Sequence, residues 1–141
     1  YAGCSMLRNL TIGSGLTELK YQTFCNCDAL TSVTIPDSVT TIGFEAFRDC
    51  DNLANVTLPC SVINIGYAAF YGCSALTRLV LPNSITSIGR AVVYACSSLT
   101  DLVIPQSVTS IGDYAFSKCS SLEKIEIPYG VETISQYLFY Y

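Results

Sequence analysis

A period of 23 residues runs the length of the chain, and a fixed period decides a fold before any single element is read. Leu7, Leu30, Leu53, Leu76, Leu99 and Leu122 keep that spacing, and so do Cys4, Cys27, Cys50, Cys73, Cys96 and Cys119. A third column runs Ile12, Ile35, Leu58, Leu81, Ile104, Ile127, followed in every unit but the first by Pro36, Pro59, Pro82, Pro105 and Pro128. Leu19, Ile42, Ile65, Ile88, Ile111 and Ile134 make a fourth, and Phe24, Phe47, Phe70, Phe116 and Phe139 a fifth, broken once by Val93. A unit this short cannot bury its apolar columns against itself. Successive units must therefore stack as coils around one continuous core.

In the unit from Leu30 to Asn52, Val33 and Ile35 alternate with Ser32 and Thr34, the period of a strand with one buried face. Repeated once per coil, such strands make a parallel sheet with neighbours ~4.8 Å apart, so six coils span roughly 24 to 29 Å. From Ile42 to Cys50 the apolar residues fall at i, i+4, i+5 and i+8, which predicts a short 3₁₀ or α turn rather than a second strand. Ser5, Asp28, Asp51, Ser74, Ser97 and Ser120, one after each Cys, suit closing that turn back into the strand.

The unit reads L-x-x-[VLI]-x-[IL]-P-x-S-[VI]-x-x-I-G-x-x-A-F-x-x-C-[SD]-x, and it resembles the BspA-like class of bacterial leucine-rich repeats over essentially all 141 residues. Departures are local: Lys20 stands where later coils have Gly43, Gly66, Gly89 and Gly112, Val93 replaces Phe, and Ser135 ends the glycine column. The resemblance implies an α/β leucine-rich-repeat solenoid of about six coils, a single domain over residues 1–141, with the sheet on one face and the turns on the other. It also implies a cell-surface or secreted bacterial protein engaged in adhesion.

Composition narrows the function. Half of the residues are hydrophobic and 13% are charged, which excludes disorder. A net charge of −4 supplies no polybasic footprint for nucleic acid or anionic lipid. The uncharged stretch from Asn52 to Thr77 is long enough to span a bilayer, but it carries Asn55, Pro59, Ser61, Asn64 and Gly66 in the spacing of its charged neighbours, so no membrane insertion is expected. No signal peptide is visible at Tyr1-Ala2-Gly3-Cys4. Histidine is absent, which removes imidazole bases and imidazole ligands. The pairs Asp28 with Asp51 and Glu123 with Glu126 are accounted for by turn chemistry and strand solvation, so the chain reads as no enzyme, with neither cofactor nor metal.

Eight cysteines raise a disulfide framework or a metal site. Side chains in one column of a stack run parallel, with Cβ atoms ~4.8 Å apart, whereas a disulfide wants ~3.8 Å, and a straight file of thiols cannot wrap a metal tetrahedrally. The column is expected to be reduced, buried thiol behaving as a small apolar residue. Cys25, in the column of Arg48, Tyr71 and Tyr94, and Cys60, after Pro59, are both expected at the surface. So much unpaired thiol fits a reducing or anaerobic setting.

The outward strand positions line one continuous face, the expected site for a ligand. One column is Asn9, Ser32, Asn55, Arg78, Asp101, Lys124, and beside it lie Thr11, Thr34, Thr57, Val80, Val103, Glu126. Val80 and Val103 interrupt the Thr34 and Thr57 surface as an apolar spot rimmed by Arg78 and Asp101, in the style of a protein-binding patch, although valine also simply suits a strand. Tyr21, Tyr67, Tyr71, Tyr94 and Tyr140 lie in the variable turn columns, as recognition residues or as covers for the coil edges. Asn9-Leu10-Thr11 and Asn55-Val56-Thr57 match the N-glycosylation pattern, as a Thr- and Asn-rich column does by chance. The first reading is a non-enzymatic adhesion module whose partner is a host, neighbouring-cell or matrix protein. Neither end of the period carries a polar cap, so the segment reads as part of a longer array; the alternative function is a self-assembling structural solenoid that stacks end to end into filaments.

Overall fold

A computed structural model describes residues 1–141. The chain winds as a solenoid whose strands are all short and all parallel. One sheet is built from β2 (Ser32–Thr34), β4 (Asn55–Thr57), β6 (Arg78–Val80) and β8 (Asp101–Val103), in that order. The register follows the period, with Ser32 opposite Asn55, Val33 opposite Val56, Arg78 opposite Asp101 and Val80 opposite Val103. Units 1 and 6 carry no assigned strand at the corresponding places.

A second line of strands was not expected. Two-residue strands β1 (Glu18–Leu19), β3 (Thr41–Ile42) and β5 (Asn64–Ile65) pair in parallel, as do β7 (Ser87–Ile88) and β9 (Ser110–Ile111). Ile42, read from sequence as the start of a helical turn, is instead the buried residue of a strand.

The expected 3₁₀ or α turn does not form either, because the chain takes a left-handed step every fourth residue. Gln22, Glu45, Ala68, Ala91, Tyr114 and Tyr137 form one column of positive φ, between 51° and 58°. Asn26, Asp49, Gly72, Ala95 and Lys118 form a second. Each left-handed residue turns backbone N–H groups along the stack: Glu45, Phe47 and Asp49 donate to the carbonyls of Tyr67, Ala69 and Tyr71 in the next coil, at 3.0, 2.8 and 2.7 Å. Arg48 N–H, between them, donates locally to Glu45. A helix would satisfy these donors internally, but a neighbouring coil offers carbonyls to every second one, so the stack wins over the helix. The uncharged segment 52–77 is simply one lap of this path, through β4, β5 and a turn, and no helix of the chain is long and apolar enough to cross a membrane.

The core is one cluster along the axis. Leu30, Leu53, Leu76 and Leu99 are fully buried, with Ile42, Phe47, Phe70 and Ile85. Phe24, Phe47 and Phe70 stack with ring centroids 5.4 and 5.5 Å apart, and Tyr1 lies 5.9 Å from Phe24. Close approach explains the glycine column: a Cβ on Gly66 would lie 2.7 Å from Phe44 N, and one on Gly112 2.6 Å from Arg90 N.

All eight cysteines are free thiols, and Cys27, Cys50, Cys73, Cys96 and Cys119 are buried in file. They do more than fill space. The thiols of Cys50, Cys73, Cys96 and Cys119 each donate at 3.1 Å to the carbonyls of Phe24, Phe47, Phe70 and Val93 in the coil before. The Phe24 and Phe47 carbonyls accept no backbone N–H, so the thiol is what satisfies them. Serines add a second ladder, with Ser61 donating to Val39 O at 2.8 Å and Ser107 to Ile85 O at 2.6 Å. Ser74, Ser97 and Ser120, each after a Cys, also reach the coil before, as Ser74 does to Asp51 O at 3.1 Å, rather than closing their own turn as expected. Cys25 corrects another expectation: it is buried, 5% exposed, while Cys60 is exposed. Its short side chain sits within the field of Asp49, Arg48 and Glu45 of the next coil, and burial pushes its thiol pKa up.

Candidate protein-binding face

The sheet positions the candidate residues by alternation. In β6 and β8 the middle residues, Leu79 and Leu102, enter the core, so Arg78, Val80, Asp101 and Val103 must point out. Val80 is 45% exposed and Val103 41%, which puts two directly opposed valines on the surface. Arg78 Nε meets Asp101 Oδ2 at 3.0 Å beside them, with both side chains largely in water. The pair therefore contributes little to stability and leaves its polar edge available to a partner. Thr34 and Thr57 are opposed in register on the same face and exposed, and because β4 pairs with β6, Asn55 opposite Arg78, Thr57 borders Val80 while Thr34 lies one coil further off.

Next to the valines the surface dips. A depression of about 330 Å³ is lined by residues 100–104 of one coil and Lys124, Ile125 and Glu126 of the next. Lys124 and Glu126 pair with each other at 3.0 Å. The arrangement is an apolar centre of Val80 and Val103 with Arg78, Asp101, Lys124 and Glu126 around it. Such a surface can bury a complementary apolar side chain while the rim pairs with charges, which is the anatomy of a protein interface.

The acid pairs separate in character from this face. Burial, then Asp28 and Asp49, pushes the Asp51 carboxyl up, at the turn back into the strand. Glu123 and Glu126 are both exposed, and Glu126 is already paired with Lys124. No three Cys, Asp or Glu side chains gather as a metal would require. On the opposite, turn-lined face the structure shows something that tyrosine spacing alone did not reveal: cations lie over the tyrosine rings, Arg48 at 5.0 Å from the centre of Tyr71 and Arg90 at 5.4 Å from that of Tyr114. The signal was present as Arg48 in the column of Tyr71 itself, and as Arg90 and Lys118 one residue out of the columns of Tyr114 and Tyr94.

The comparisons agree with this geometry. Residues 1–92 match the family model of the BspA type leucine rich repeat region, in 6 copies. A leucine-rich-repeat protein from T. pallidum is 32% identical with a TM-score of 0.82, over 85% of this chain and 56% of its own. One from Bacteroides ovatus is 28% identical with a TM-score of 0.82, over 99% and 42%. A leucine rich cell surface protein from Faecalibacterium prausnitzii is 35% identical with a TM-score of 0.79, over 82% and 30%. This chain thus spans between about a third and just over half of the length of these relatives. No curated protein sequence matches it. By its repeat, its stacked parallel strands and these matches, the chain belongs to the BspA-type leucine-rich-repeat family.

Proposed function

We propose that the chain is a non-enzymatic protein-binding module of a bacterial cell-surface protein, engaging a host, neighbouring-cell or matrix protein through its strand face. The observation that carries the reading is the opposed, exposed pair Val80 and Val103 within a charged rim, on a face that elsewhere presents threonine. An apolar centre with Arg78, Asp101, Lys124 and Glu126 at its edge favours a partner with one apolar anchor and charges of both signs. A regular stack forms no cleft across which two acids could act, which favours binding over catalysis. The likeness to a cell surface protein of Faecalibacterium prausnitzii supports the location, and the reduced thiol column suits an oxygen-poor setting.

The test uses labelled chain on epithelial cells and on wells coated with matrix protein. Val80→Glu combined with Val103→Thr charges the centre without placing two acids opposite each other, and surface changes of this kind shift stability by only about 0.5 kcal/mol. Binding should fall at least tenfold with the melting temperature preserved. Unchanged binding, or loss caused only by variants on the turn face, refutes the proposal.

A further inference from the structure

The turn-lined face carries tyrosines and cations in register. Tyr71 and Tyr94 stack 4.8 Å apart with planes 7° from parallel. Arg48 covers Tyr71, and Lys118 lies 5.3 Å over Tyr94. A second stack joins Tyr114 to Tyr137 at 5.1 Å, with Arg90 over Tyr114. The column that carries this second stack in the late coils holds Ala68 and Ala91 in the middle ones. The exchange leaves a notch of about 150 Å³ over Ala91, walled by Tyr67, Tyr71, Tyr94, Tyr114 and Arg90.

Its chemistry is specific. Because the rings stack along the coil axis, their faces are taken by one another and by the cations, so ring edges and phenol hydroxyls are left at the notch. Ring edges are the positive end of the aromatic quadrupole. Arg48 is neutralised by Glu45 and Asp49, at 2.8 and 3.1 Å, but Arg90 and Lys118 have no carboxylate within 4.0 Å, although Asp113 follows Arg90 in its column. In a chain of net charge −4 this is a local positive, donor-rich site. Backbone donors beneath it are consumed: Ala68, Phe70 and Gly72 bond to the carbonyls of Arg90, Val92 and Tyr94, and Ala91, Val93 and Ala95 to those of Asp113, Ala115 and Ser117. A peptide therefore finds no open strand edge to pair with.

We propose that this notch binds an acidic glycan, seating one sugar ring over Ala91 and meeting its carboxylate or sulfate groups with Arg90 and, one coil further, Lys118. Phenol hydroxyls of the tyrosine walls serve the sugar hydroxyls. The site lies on a different face from the valine patch and stands independently of the function proposed for it.

The probes are a heparin-derived hexasaccharide and a galacturonate hexasaccharide, with maltohexaose as the neutral sugar and hexaglutamate as the acidic peptide, each titrated calorimetrically at low salt. At least one acidic hexasaccharide should bind, more weakly as salt rises, and which of them binds distinguishes sulfate from carboxylate. The Arg90→Gln, Lys118→Gln variant should still unfold cooperatively and lose about tenfold or more in affinity, the scale of lost charge-assisted hydrogen bonds. Arg78→Gln with Lys124→Gln, on the strand face, should leave the affinity for these sugars unchanged. The proposal fails if neither acidic sugar binds, if maltohexaose or hexaglutamate binds as well, or if the strand-face variant loses the affinity instead.

Discussion

Mild alkali should unfold this chain through its buried thiols. Burial pushes Cys50 and Cys119 up from 9.0 to about 12, and raises Cys73 and Cys96 well above 9.0. A thiol that stays neutral in the folded state confers stability that is fully present below pH 9 and is lost as pH rises from 9 towards 12, because only the unfolded chain releases the proton. At pH 10 the loss depends on the unfolded value alone, since the folded values lie well above it, and is about 1.4 kcal/mol per thiol. Four such thiols remove on the order of 5 kcal/mol, comparable with the whole stability of a small domain. The assay is urea unfolding followed by circular dichroism at pH 8, 9 and 10 with a reductant present. The decisive comparison is between variants. Cys73→Ala should recover about 1.4 kcal/mol of the loss between pH 8 and 10, whereas Cys60→Ala, at an exposed position, should leave the slope unchanged. A stability flat to pH 10, or one whose slope ignores Cys73, refutes the reasoning.

Two further outcomes follow from the backbone. Within the glycine column, Gly66→Ala and Gly112→Ala should each destabilise by about 1–3 kcal/mol, because their Cβ atoms would fall 2.7 and 2.6 Å from backbone nitrogen. Gly89→Ala should be close to neutral, its nearest atom being Ile65 O at 3.4 Å; equal losses in urea titrations of all three would show that the coils are not in the described contact. Ala95→Gly should stabilise by about 0.5–1 kcal/mol, since Ala95 sits at φ 59° in the column that Gly72 occupies, and a lowered midpoint would contradict that backbone path.

Much of the architecture was legible because stacking forces like residues over like. The 23-residue columns translate directly into the sheet register, Ser32 to Asn55 and Arg78 to Asp101, and alternation alone placed Val80 and Val103 on the surface. Spacing failed at the turn face for a definable reason. Apolar residues at i, i+4 and i+5 report which side chains point inward, and a helix and a chain with a left-handed step every fourth residue give nearly the same list. Ala68, Ala91 and Ala95 carry no mark of positive φ, a conformation for which glycine is the usual signal. Cys25 misled because its column neighbours Arg48 and Tyr71 are long enough to reach solvent, while a thiol at that Cα is not.

Some of the bonds that lock one coil to the next are also hidden from a search at one period, because they do not join residues 23 apart, as Ser74 and Asp51 do. Strand partners are offset by 23, but the thiols reach back 26, as from Cys73 to Phe47 O, and the serines two residues after a proline 22, as from Ser61 to Val39 O. Each offset differs from the period, by three residues more or one fewer, because a short side chain leans across its own turn. A conserved-looking column of Cys or Ser therefore says that the position is repeated, and only the three-dimensional path says what it donates to. The same holds for the tyrosine stacks, where Lys118 covers Tyr94 from 24 residues away and Arg90 covers Tyr114 from the same distance. Both cations sit one residue out of their partner's column, so a search confined to one period pairs neither of them with its ring.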